Sequence, residues 1–237
     1  MPSKSARKPT ERPAITEEAI IDAAVRLTQK HGLERWSMRQ LAAELGVYTR
    51  VIYWHVGDRE DVLQKVSDRA LRDLEVPPAE EEWRTWFTKL LTDLRLELRK
   101  YPGIAKRFAM YGPGMGTSRT TISRGIHVLK EAGFGNDSAM IYSMVMSQAC
   151  QFIAQEDERD FQTVERERAA ERYLKSVDDP DDGLAALSKS IDKSCSSSEN
   201  RIKYYDELYE LFITIVMNGL AVMLEERNGY RGSSAAN

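Results

Sequence analysis

SMRQLAAELGVYTRVIYWHVGDR, residues 37–59, joins two short helical patterns across a glycine and closes the second on two aromatics and a histidine. Ser37 with Gln40 three positions on is a capping-box pattern, in which each side chain satisfies a free backbone N–H of the first turn. Behind it Met38, Leu41, Ala42 and Leu45 recur at helical spacing. Gly46 then stops the helix, because glycine accepts the left-handed conformation of a C-terminal cap. A second piece is predicted over about Thr49–His55, seated on the first by Val51, Ile52 and Val56. A helix that short cannot stand alone in water. It makes sense as a recognition helix held by its neighbours, with Thr49, Arg50, Tyr53 and His55 turned toward a major groove.

The segments on either side extend the pattern. ITEEAIIDAAVRLTQKHG at 15–32 is an amphipathic helix marked by Ile20, Ala24 and Leu27, and IYWHVGDREDVL at 52–63 leads into another helix capped by Asp58. In this order the three segments resemble the DNA-binding domain of the TetR family of transcriptional regulators over about residues 15–75. The Tyr-Trp-His-Val string at 53–56 looks like the tetracycline-repressor branch. The resemblance implies base or phosphate contacts from Arg39, Thr49, Arg50, Tyr53, His55 and Arg59, within an interface that also takes in Ser37, Tyr48 and Val51. The chemistry agrees: arginine offers a fork to guanine O6 and N7, and tyrosine and threonine hydroxyls bind phosphate. Tyr48 stands where the family often has a short polar cap, Arg50 where a small residue or proline is common, and Val51 where Thr or Ser is frequent. These departures point to a distinct operator, with Arg50 reading guanine and Val51 packing on a thymine methyl.

Each residue also has a plainer reading. Tyr53 and Trp54 are large aromatics of the kind that fill small cores, and Trp54 is the stronger core candidate. His55 is alternatively a hydrogen-bonded histidine near a helix end, and Arg39 and Arg59 ordinary solvated charges.

The chain of 237 residues accommodates one small DNA-binding domain and a larger companion. A formal net charge of −3 excludes a protein that coats nucleic acid over its whole surface, so DNA affinity must come from local positive patches. The arm at 1–13 supplies Lys4, Arg7, Lys8 and Arg12 against Glu11, with three prolines, and is expected to be disordered alone. It either orders on DNA or acts as a solubilising tail. No apolar core follows it, so it does not read as a secretory signal. The longest apolar run, 211–224, is broken by Thr214, Asn218 and Gly219 and is expected to fall short of a membrane span. The chain is therefore expected in the cytoplasm. Cys150 and Cys195 form no metal or redox pattern.

Helical periodicity continues to the end, with no convincing alternating strand, so the fold class is all-α: an N-terminal three-helix helix-turn-helix domain over 14–76 and a larger helical ligand-binding and dimerisation domain over 80–228. The Val-Pro-Pro-Ala segment at 76–79 marks the boundary, and 229–237 is expected as a disordered tail. Further helices are predicted at 80–101, 104–111, 117–132 and 139–154, with a last one over 208–224. The Gly-Pro-Gly-Met-Gly stretch at 112–116 lacks the Lys-Ser/Thr ending of a phosphate loop and reads as a turn. The charged run 156–172, and the SVDDPDDG and SCSSSEN segments, read as a solvated helix or mobile loops. The helices at about 137–157 and 203–227 are apolar nearly all round and must be covered on more than one side. A second copy is the simplest cover, and the TetR resemblance likewise implies a homodimer. Two recognition helices one DNA turn apart then require a palindromic double-stranded operator.

The second domain carries a candidate pocket for a small apolar or aromatic effector. Trp86, Leu90 and Leu94 share one face of the helix at 80–101, and Phe108, Tyr111 and Met115 follow it. Ile126, Met140, Met144 and Gln148 come from helices expected to enclose the same volume, with His127 either a polar anchor or a surface histidine. Single residues of this kind are otherwise plain core; the resemblance is what favours a pocket. It does not transfer a tetracycline–magnesium site, since Phe108 and Leu90 fall where that branch has a histidine and an asparagine. No metal or cofactor is expected. The absence of Glu-x-x-His, His-Glu-x-x-His and Gly-x-Ser-x-Gly argues against an enzyme. A helical protein-interaction module would leave Arg39, Arg50, Tyr53 and Arg59 without a shared purpose. The expected function is ligand-released repression by a homodimer; the alternative is a TetR-like activator or an effector-independent regulator.

Overall fold

The computed structural model describes residues 15–161, 168, 169, 172, 182–195 and 197–234, and every regular element among them is helical. The basic arm at 1–13 lies outside the described residues.

Helix α1, Glu17–His31, starts where the Thr16 hydroxyl accepts from the Ala19 amide, and it places Glu17 and Glu18 at its positive end and Lys30 and His31 at its negative one. α2 (Met38–Leu45), α3 (Thr49–His55) and α4 (Arg59–Ala70) follow. Ile20, Ala24, Leu41, Ile52, Val62 and Val66 meet with no solvent contact at all, one residue or more from each helix. Each such burial stabilises by roughly 1.5–3 kcal/mol for the larger aliphatic side chains. Trp36 from the α1–α2 loop closes this core, its indole N–H donating to Thr28 Oγ1 at 3.0 Å. The same hydroxyl donates to Ala24 O, so no polar group of the pair is left over.

The second domain is built round α5, Trp83–Leu98, shorter at both ends than expected because Glu82 supplies the cap, its carboxylate accepting from the Arg84 and Thr85 amides. Trp86, Phe87, Leu90, Leu91 and Leu98 are completely buried there. α6 (Ile104–Tyr111) and α7 (Met115–Leu129) come next, and α7 ends in a π turn, Lys130–Phe134, and a 3-10 turn, Gly135–Asp137. α8 (Ser138–Phe161), α9 (Asp182–Cys195) and α10 (Ser198–Ser234) complete the described elements. The domains touch where the Leu33 amide donates to Pro102 O at 2.8 Å. The linker is pinned too, as Trp86 Nε1 donates to Pro77 O at 3.0 Å.

Four expectations change. Glu156 and Asp157, read as part of a solvated run, are buried: Glu156 accepts from Arg95 Nε at 3.0 Å and pairs with Arg99, and Asp157 accepts from the Gly103 amide. Residues 182–195, beside the segments read as loops, form α9 against α10. The last helix starts ten residues before 208 and runs to Ser234, beyond the expected start of the tail at 229; Ser197 caps it, and Arg227 anchors it by donating to Phe134 O. Over Ser198–Arg227 this helix is long and apolar enough to cross a membrane by length and composition, which corrects the shorter run expected. Thr214, Asn218 and Gly219 are uncharged and do not interrupt it. One of its faces packs on α5 and α8 through Tyr209, Phe212, Met217 and Leu220.

Candidate nucleic-acid interface and cavity

α2 and α3 meet at Gly46, whose φ of +66° is the left-handed cap expected from the sequence. The α2 capping box is complete: Ser37 Oγ accepts from the Gln40 amide and Gln40 Oε1 accepts from the Ser37 amide at 2.8 Å. Ser37 therefore uses its hydroxyl on the helix start. Ile52 is the one fully buried residue of α3. Tyr48, Arg39, Arg50 and Tyr53 are exposed, while Thr49, Val51, His55 and Arg59 are half-buried beside them. Arg50 lies over the Tyr48 ring, its guanidinium carbon 5.3 Å from the ring centre, so the two form one flat cationic and aromatic surface. Arg59 similarly stands 5.8 Å from the centre of the Trp36 ring.

Trp54 is the correction here. Favoured as a core aromatic, it is 81% exposed, and its ring meets His55 edge-on with centres 4.5 Å apart. With Ile52 taking the single inward position of a seven-residue helix, the residue two places on is forced outward. Trp54 and Tyr53, the latter 50% exposed, thus form an aromatic patch on the surface rather than part of the core. Period 3.6 applied from Ile52 would have found it.

In the second domain a cavity of about 340 Å³ lies among α5, α6, α7, α8 and the segment after α4. Leu94, Phe108 and Ile126, expected to line a pocket, do line it. Trp86 and Leu90 are buried in the core without reaching it, Trp86 because its N–H is committed to the linker. Tyr111, His127, Met140, Met144 and Gln148 are exposed and lie outside the cavity wall. For α8 the reason is rotational: its inner face carries Tyr142, Met146 and Cys150, and Met140 and Met144 fall on the outer one. The side chain of Met115 lies outside the described residues.

Sequence reasoning missed Leu71 and Leu74 past the end of α4, Ser118 and Thr121 on α7, and Ser143 and Ser147 on α8. Small polar residues carry no periodic signal, and the two leucines come from the segment that follows α4. Gly112 and Pro113 of the glycine-rich stretch form part of the wall, so the segment read as a turn also closes the cavity. Burial pushes the Cys150 thiol up to about 12, keeping it neutral. Among the described residues, no group of three His, Cys, Asp or Glu side chains is arranged to hold a metal ion.

α5, α8 and α10 are joined by charge. Arg95 donates to both oxygens of Glu156 and to Asp206 Oδ1, the last at 2.7 Å, and stacks 5.1 Å from the Tyr209 ring centre. Burial alone would push the guanidinium down, but the hydrogen bonds and charges of Glu156 and Asp206 outweigh it and hold Arg95 above its ordinary value.

Residues 20–66 match the family model of bacterial regulatory proteins of the tetR family. The chain is similar to an HTH-type transcriptional regulator of Saccharopolyspora erythraea, 29% identical over 148 residues, 62% of this chain and 61% of that protein. It is also similar to the class D tetracycline repressor protein of Escherichia coli, 30% identical over 95 residues, 39% of this chain and 44% of that protein. These matches thus cover less than two thirds of either relative. In fold it resembles ActR, a TetR family protein of Streptomyces coelicolor solved with actinorhodin: TM-score 0.67 and 21% identity, covering 89% of this chain and 99% of that one.

Proposed function

We propose, from the match of residues 20–66 to the TetR-family model, that the protein is a transcriptional repressor that binds a palindromic operator as a homodimer and leaves it when a small apolar or aromatic effector binds. The observation that carries the reading is the outer face of α3, where Tyr53 and Trp54 stand exposed beside Arg50 on a helix whose only buried residue is Ile52. A soluble domain has no folding reason to expose two large aromatics side by side, whereas a DNA groove uses them with the arginines for base and phosphate contacts.

The dimer is supported by exposed apolar side chains that no other described residue buries: Met140 and Met144 on α8, and Leu211, Ile215, Val222 and Met223 on α10. A second copy packing α8 and α10 against their equivalents buries all six in a four-helix interface.

Effector control is supported by the position of the cavity. Leu71 and Leu74 in its wall follow directly on α4, whose Val62 and Val66 are in the core of the DNA-binding domain. A molecule in the cavity therefore touches the segment that continues from α4, the helix packed in the core of the DNA-binding domain. A ligand preferring a conformation with the wrong spacing between the two α3 helices releases DNA, and the coupling is reciprocal.

The test is fluorescence anisotropy of the purified protein on DNA flanking its own gene, over a salt series and with Tyr53→Ala. Saturable, salt-sensitive binding to a palindromic fragment, lost in the variant, is expected. A variant that binds like the wild type would remove α3 as the recognition helix.

A further inference from the structure

Buried hydroxyls in this fold are normally satisfied. Thr28, Ser67 and Ser138 donate to backbone carbonyls three or four residues back, at 2.8–2.9 Å. Ser118 does not. Only 4% of this residue is exposed, its Oγ has no contact with solvent, and it has no hydrogen-bond partner, yet the residue stands in the cavity wall. Thr121 is buried one turn further along α7 and lines the same cavity. A hydroxyl stranded in this way costs stability unless something in the cavity pairs with it.

The second observation is what the wall lacks. Among the described residues lining the cavity none is Asp, Glu, Lys, Arg or His, so none of them presents an ionised group to the space. An ion entering it would lose its hydration with no opposite charge to meet, which is strongly unfavourable.

We propose that the cavity takes an uncharged, largely apolar molecule carrying a hydroxyl or carbonyl oxygen that hydrogen-bonds to Ser118 Oγ, with its apolar part against Leu94, Phe108 and Ile126. This rests on the reading of the cavity as the effector site. It excludes carboxylates, amines charged at neutral pH, and charged metal chelates, and so narrows an apolar or aromatic effector to a neutral oxygenated one.

Equilibrium dialysis of the full chain at pH 7 against naphthalene, 1-naphthol and 1-naphthoate tests it, with Ser118→Ala and the cavity-filling Ile122→Trp, each variant first checked for native helicity and melting. The wild type is expected to bind 1-naphthol about tenfold more tightly than naphthalene, a difference the size of one satisfied buried hydrogen bond. 1-Naphthoate is expected to bind at least about tenfold more weakly than 1-naphthol. Ser118→Ala is expected to abolish the preference for 1-naphthol and leave naphthalene unchanged, with a melting temperature no lower than the wild type's. Ile122→Trp is expected to abolish binding of all three compounds. If Ile122→Trp abolishes binding but Ser118→Ala keeps the preference, or 1-naphthoate binds as tightly as 1-naphthol, the polarity inference is wrong while the effector site stands. If no compound binds, or Ile122→Trp leaves binding intact, the effector-site reading falls and this inference with it.

Discussion

Gly125 of α7 lies so close to Tyr142 of α8 that a Cβ built on it would sit 2.5 Å from Cε2 of the ring, with Trp86 3.1 Å away on the same side. No side chain other than hydrogen fits, and the absence of one lets the Tyr142 ring lie back as part of the cavity wall. Gly125→Ala must therefore move Tyr142. Trp86 is fully buried and tied to the linker, so the open side is the cavity. The expected outcome is loss of 1-naphthol binding by about tenfold or more with operator affinity retained, measured by dialysis and anisotropy on the same preparation. Unchanged binding would mean that the ring finds another place.

Trp54→Ala removes a side chain that supports no core packing. The melting temperature is expected to stay within about 2 °C of the wild type, since exposed substitutions usually change stability by less than 0.5 kcal/mol. Operator affinity is expected to fall by about tenfold or more. A stability loss comparable to a core truncation would place Trp54 back among the packed residues.

Ile215 is 61% exposed near the middle of α10, whereas the neighbouring Val216 packs partly against its own core. Ile215→Asp puts an unpaired charge at the centre of the proposed dimer interface without disturbing the fold of one subunit. Monomers by sedimentation and a loss of operator binding of about a hundredfold or more are expected. A variant that sediments as a dimer would put the interface elsewhere.

Breaking the charge network from one side is expected to be costly. Glu156→Ala leaves Arg95, whose side chain is 9% exposed, with Asp206 as its remaining partner of the two. A destabilisation of about 3 kcal/mol is expected from chemical denaturation, at the lower end for a buried pair because Asp206 still compensates part of the charge. Arg95→Met removes the same pair but also leaves Glu156 with Arg99, and should cost less.

Cys150 gives the alkaline limb of stability a definite sign. Its thiol is pushed up to about 12 in the folded chain against an ordinary value near 9, so above pH 9 the unfolded chain releases a proton that the folded chain keeps. The group contributes no penalty below pH 9, and stability falls as pH rises from about 9 toward 12. Cys150→Ala is expected to melt at a temperature that declines less steeply between pH 9 and 11. The neutral thiol should also resist iodoacetamide at pH 8 in the folded protein and react on unfolding.

The helices of the first domain were readable because their signals are local. A capping box at Ser37 and Gln40, a glycine at the left-handed cap, and apolar residues spaced for one face all act within a turn or two of the chain, so periodicity and cap chemistry locate them. The same holds for most of α5 to α8. The ends of α5 and α10 were misplaced because a cap from Glu82 and an anchor at Arg227 depend on partners that no local pattern specifies.

What the residues alone determined is the all-helical class and the helix-turn-helix, since each follows from interactions within a few residues of sequence. Only the tertiary structure decided that Trp54 faces solvent, that Glu156 is buried against Arg95, and that the cavity wall is made by Ser118, Thr121 and Tyr142 rather than by Tyr111, Met140 and Met144. Those outcomes turn on the rotation of one helix about its axis relative to four others, set by the packing of whole faces, and a rotation of about 100° exchanges one residue of the wall for its neighbour.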